Sequence, residues 1–118
     1  MYASKDDIDV PQQIGEYESR SREWGDMVVS FERVPAGLDV APYLEGLPGG
    51  KCQCPHWGYL LSGKTVVEFQ DHEETIVAGQ AYYLPPGHLV RFAEDCETVE
   101  FSPKADLHRT AEAVGRNA

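Results

Sequence analysis

The sequence has no apolar run approaching the ~18–20 residues that cross a bilayer. Its first residues, MYASKDDIDVPQQ, lack the apolar stretch of a secretory leader, so a cytoplasmic location is expected. Cysteine is scarce and odd in number, with only Cys52, Cys54 and Cys96 present. That count fits free thiols or metal ligands better than a disulfide framework. Positive charge is also short. Ten Lys and Arg stand against twenty Asp and Glu, a net charge of −10. Nucleic acid and anionic membrane both need a basic face, so neither is expected as a partner. No long segment keeps a helical period before Lys104, and there is no internal repeat, low-complexity tract or second domain.

What remains is a chain of 118 residues, 42% hydrophobic and 25% charged, enough for one domain with a core of its own. Residues 1–25 are polar and read as an irregular arm with one short strand. Met27–Val34 is β-prone and stops at Pro35-Ala36-Gly37. Residues 38–50 read as a loop with a short helical turn. Beyond it, short strands alternate with turns roughly every ten residues, the pattern of an all-β sandwich or barrel. Trp57–Leu61, Thr65–Gln70, Thr75–Val77, Ala81–Leu84, His88–Phe92 and Thr98–Phe101 are the expected strands. Asp71–Glu74 is a charged hairpin tip. Lys104–Gly115 follows Pro103 and is expected to be a short C-terminal helix.

The stretch CQCPHWGY, Cys52–Tyr59, concentrates metal-binding chemistry. On a strand, Cys52, Cys54, His56 and Gly58 share one face, with Trp57 and Tyr59 on the other. Thiolate and imidazole are the donors zinc prefers. A straight strand would hold positions i and i+4 about 13 Å apart. Pro55 favours a bulge or strand edge, which could draw these groups together.

Two blocks of sequence resemble the cupin family. Gly79-Gln80-Ala81-Tyr82-Tyr83-Leu84-Pro85-Pro86-Gly87 is similar to the second cupin motif, a glycine, five residues and Pro-x-Gly. Gly58-Tyr59-Leu60-Leu61-Ser62-Gly63 is similar to the end of the first. The resemblance covers about residues 26–103. It implies an all-β double-stranded β-helix, or jelly-roll barrel, often dimeric, with the arm before it and the helix of residues 104–118 after it. It also implies a metal site assembled from the two motifs, but the usual three histidines and glutamate are absent as such. His56 stands in the glutamate's place, Cys52 in a histidine's, and Val90 where the second motif's histidine would be, with His88 two residues earlier on the same face. The expected ligand set is therefore drawn from Cys52, Cys54, His56 and His88. Soft thiolate favours Zn(II) over Fe(II), Ni(II) or Mn(II). The opposing reading makes the cysteines small buried hydrophobes and leaves the barrel metal-free.

Tyr59, Glu68 and Glu100 are candidate proton-transfer groups. A carboxylate facing the interior would have its pKa raised toward working pH, but the sequence leaves the facing of Glu68 and Glu100 open. Tyr82 and Tyr83 point to opposite faces, so one at most looks inward. Cys96, between acidic residues, reads as structural, and His72 and His108 as surface residues. Three functions fit: a zinc enzyme that transforms a small molecule by isomerase, cyclase, lyase or hydrolase chemistry; a metal, redox or ligand sensor; and a metal-free dimeric accessory protein. A homodimer is the expected assembly.

Overall fold

The computed structural model of the chain describes residues 1–8 and 12–117; residues 9–11, which include Pro11 of the arm, and residue 118 lie outside it. Among the described residues, nine antiparallel strands precede one α-helix: β1 (Gln12–Ile14), β2 (Tyr17–Trp24), β3 (Met27–Val34), β4 (His56–Ser62), β5 (Lys64–Glu68), β6 (Glu73–Val77), β7 (Ala81–Leu84), β8 (Leu89–Phe92), β9 (Cys96–Pro103) and α1 (Lys104–Asn117). One sheet has six strands in the order β1-β2-β3-β9-β4-β7, and a second has three in the order β6-β5-β8.

Period-two alternation decides what lies between the sheets. Val28, Ser30 and Val34 of β3 are buried, as are Cys96, Thr98 and Ser102 of β9, and the register pairs Val28 with Ser102 and Val34 with Cys96. From the small sheet, Thr65 and Val67 of β5 and Ile76 of β6 turn inward. Leu60, Val67, Ile76, Leu84 and Cys96 form the main apolar core, with Phe92 and Val90 packed on it. Complete burial of a side chain such as Leu60 or Val67 contributes about 1.5–3 kcal/mol.

A second apolar cluster closes one end of the barrel. Leu44, Cys52 and Cys54 pack with Leu47 and with Leu107 and Val114 of α1. Asn117 fastens the far end of the helix by donating to the carbonyls of Tyr43 (2.9 Å) and Glu45 (2.8 Å). The loop between β3 and β4 contains two short 3-10 turns, Ala41–Leu44 and Pro48–Gly50.

Two expectations change. Residues 12–24 are not an irregular arm, because β1 and β2 belong to the large sheet, and β2 pairs along its whole length with β3. Its inward side carries Tyr17 and Ser19, so the strand lacks the apolar alternation by which sequence reveals one. Nor does a strand run through Cys52–Pro55. Cys52 makes only an isolated bridge to His88, and regular pairing begins at His56.

Candidate metal centre and its buried acid pair

The irregular step at Cys52–Pro55 is what builds the site. Cys52 is fixed by backbone bonds to the second motif: its N–H donates to the His88 carbonyl (2.8 Å), and its carbonyl accepts from the Gly87 N–H (2.8 Å). Pro55 has no N–H to continue a ladder, and the chain turns before entering β4. Cys52 Sγ and His56 Nε2 are consequently 3.8 Å apart, not strand-spaced. His88 completes the group, and the donor atoms of Cys52, His56 and His88 all lie within 4.8 Å of one another.

Both rings are oriented from outside the cluster. His88 Nδ1 donates to the Pro85 carbonyl at 2.8 Å. A carbonyl only accepts, so the proton sits on Nδ1 and the Nε2 lone pair is free. His56 Nδ1 lies 2.7 Å from Ser102 Oγ, leaving its Nε2 toward Cys52. Such outward bonds set the tautomer that a metal-binding imidazole requires. Burial drives the His88 pKa down to about 4 and lowers that of His56, so both rings are neutral. Burial also pushes the Cys52 thiol up. One sulfur and two neutral imidazoles, gathered from a loop, β4 and the entry to β8, fit a thiophilic divalent cation.

Cys54 is the one expected ligand that the fold keeps apart. Its side chain is fully buried with Leu44 and Cys52, and its thiol hydrogen-bonds the Pro55 carbonyl at 3.5 Å. Burial, and then Cys52, raise its pKa to about 12.

Beside His56 lies a feature the sequence reading did not find. Glu32 of β3 and Glu100 of β9 lie together on the inner face of the large sheet, both partly buried. Tyr17 donates to Glu32 Oε2 (2.8 Å), and Tyr82 donates to Glu100 Oε1 (2.7 Å) while also meeting Thr98 Oγ1 (2.6 Å). Glu100 Oε2 is 3.9 Å from His56 Nδ1. Burial raises both carboxyl pKa values, and the mutual repulsion of the two charges adds to the rise at Glu32. Burial and the neighbouring carboxylates also raise both tyrosines. A signal for Glu32 was present, since it shares the face of Val28, Ser30 and Val34. Tyr17 gave none.

Several solved structures share this architecture. An ectoine synthase from P. lautus superposes with a TM-score of 0.64 at 14% identity, over 92% of this chain and 84% of that one. An RmlC-like cupin from Shewanella frigidimarina gives 0.63 at 10% identity, over 87% and 89%. A cupin superfamily protein from Desulfitobacterium hafniense gives 0.60 at 13% identity, over 80% and 83%. The chain has the cupin fold. No protein-family model and no curated protein matches its sequence.

Within this fold the remaining candidates separate cleanly. Tyr59 faces outward and is 43% exposed, so it is not an interior proton-transfer group; β4 alternation puts it opposite Gly58. Glu68 also points outward, 3.3 Å from Arg91 on the outer side of the small sheet. Glu100 alone of the three faces the interior. Tyr82 looks in and Tyr83 out, where it stacks on Trp57 with ring centroids 5.1 Å apart. Cys96 opens β9, buried, instead of sitting in a turn. His72 lies at the exposed hairpin tip against Asp71 and Glu74, and His108 on the exposed side of α1. Among the described residues, no helix is long and apolar enough to cross a membrane.

Proposed function

We propose that the protein is a zinc-binding cupin that binds and transforms a small molecule inside its barrel. The carrying observation is the convergence of Cys52 Sγ, His56 Nε2 and the His88 ring, with both Nδ1 atoms tied back to the fold. Three protein donors leave room in a tetrahedral shell for water or substrate. When bound, zinc would supply Lewis-acid chemistry, polarising a carbonyl or activating water. The chain's own residues supply the rest. Ser102 orients His56. Glu100, 3.9 Å from the same ring, is the group placed to hold and move a proton, and Tyr82 positions its carboxyl. Isomerase, cyclase, lyase and hydrolase reactions all use this pairing of electrophile and buried acid. The three free thiols suit the reducing cytoplasm. Elemental analysis of the purified protein tests the reading: about one zinc per chain is expected, and less than about a tenth after zinc addition would refute it.

The burial of His88, 2% exposed, and the packing of α1 over Cys52 favour a second reading, a closed metal sensor without turnover. X-ray absorption on the zinc-loaded protein separates the two. A shell of one sulfur, two nitrogens and one water oxygen supports the enzyme, and a fourth protein donor supports the sensor.

We also propose that a second copy covers the outer face of the large sheet. Trp57, Tyr59, Leu61, Tyr83 and Phe101 are 38–52% exposed there. They expose on the order of 400 Å² of apolar surface, close to the apolar share of one side of a standard interface. None carries charge, which matters for copies that otherwise repel at −10 each.

A further inference from the structure

The acid pair has no lysine or arginine partner among the described residues. The basic side chain beside it is His56, whose Nδ1 lies 3.9 Å from Glu100 Oε2. Buried carboxyls are as a rule matched by a cation or neutralised, because an isolated buried charge costs several kcal/mol. Here both acids line a cavity of about 50 Å³ between the sheets. That volume holds a group of about two heavy atoms, given a water's share of roughly 30 Å³.

The opposite wall has a different character. Val67, Leu84 and Val90 line it, with Thr65 as its polar member. Thr65 is 7% exposed and lines this cavity, and among the described residues no side-chain hydrogen bond engages its hydroxyl. The cavity thus presents two carboxyls on one wall, an unpartnered hydroxyl on the other, and apolar carbon between. A bare metal ion would use only part of this surface. Each tyrosine engages one oxygen of its carboxyl and leaves the other free, and the aliphatic wall opposite matches a ligand that carries carbon beside its charge.

We propose that this cavity is a subsite for a compact primary amine, with Glu32 and Glu100 accepting from its ammonium group, Thr65 accepting a third N–H, and Val67, Leu84 and Val90 enclosing its carbon. The subsite names the substrate class of the small-molecule reading above and rests on it. It lies next to the candidate metal centre through His56, so an amine held there has its substituents within the barrel and not in bulk water.

The test is a titration followed by amide NMR shifts, with methylammonium, ethylammonium and n-hexylammonium chlorides at constant ionic strength. Ethanol serves as the neutral counterpart and sodium chloride as the inorganic one. Zinc content is measured on the same samples, with and without chelation, so that loss of the metal reading is scored separately. Methylammonium and ethylammonium should saturate and shift the amides around Thr65, Tyr82 and Glu100, with affinity at least tenfold above ethanol's. n-Hexylammonium should fail to saturate. E32Q and E100Q should each weaken ethylammonium at least tenfold, and T65V about threefold, with their spectra showing the fold retained. Equal affinity for ethanol and ethylammonium would overturn the proposal. So would the same shifts from sodium chloride alone, or unchanged affinity in both glutamine variants.

Discussion

Tyr82 occupies the space that a side chain at Gly58 would need. The two residues are paired across β4 and β7, and a β-carbon at Gly58 would collide with the phenol and stand 2.8 Å from the Val99 carbonyl oxygen. The missing side chain lets the Tyr82 ring lie flat over the strand and reach Glu100 and Thr98 at once. Gly58→Ala should therefore displace the phenol and cost about 1–3 kcal/mol by overpacking. Tyr82→Phe, which keeps the ring but drops the hydroxyl, should cost about 1–2 kcal/mol. Urea unfolding measures both, and a neutral Gly58→Ala would contradict this packing.

Metal content should rank the candidate ligands. Cys52→Ser, His56→Ala and His88→Ala should each abolish stoichiometric zinc, whereas Cys54→Ala should retain it. Ser102→Ala removes only the bond that orients His56, and should weaken zinc by about 10–100-fold without changing the stoichiometry at saturation. Competition with a chromophoric chelator reads all five. Zinc loss in Cys54→Ala equal to that in Cys52→Ser would contradict the geometry.

The acid pair fixes a sign for the pH dependence of stability. Its carboxyls have raised pKa values in the folded state, so above the ordinary carboxylate range the folded chain binds more protons than the unfolded one. Stability from this source is complete at low pH and is lost as pH rises through the folded value. Between about pH 6.5 and 8 the histidines titrate as well, with His56 and His88 lowered and His72 raised by the fold, so the difference between wild type and Glu32→Gln isolates the carboxyls. Their contribution in chelated protein should fall with rising pH there, by at most about 1.4 kcal/mol per pH unit for one proton. Glu32→Gln should flatten the slope. Denaturant midpoints across that range would show it, and an unchanged slope in the variant would exclude a shared proton on this pair.

Sedimentation should find the protein dimeric at about 0.1 mM, and Trp57→Ser combined with Tyr83→Ser should make it monomeric. Monomeric wild type at that concentration would remove the outer face as a self-docking surface.

The sequence by itself determined much of the barrel. Turn glycines and prolines spaced by alternating segments located β3 and β7 residue for residue, and Pro103 marked where α1 begins. Those signals are local: φ restrictions and period-two burial need no knowledge of distant residues. It also picked out the donors of the candidate metal centre, because cysteine and histidine are rare here and two motifs carried them. Tertiary structure decided which of those groups meet. On a uniform strand Cys52 and Cys54 were equivalent. The bridge from Cys52 to His88 and the turn at Pro55 bring Cys52 to the imidazoles and send Cys54 into the apolar cluster under α1. Glu68 and Glu100 are likewise both mid-strand glutamates, and only the strand register turns Glu100 inward beside Glu32. Facing is set by pairing between segments that lie about seventy residues apart in β3 and β9, a long-range constraint that no local pattern encodes.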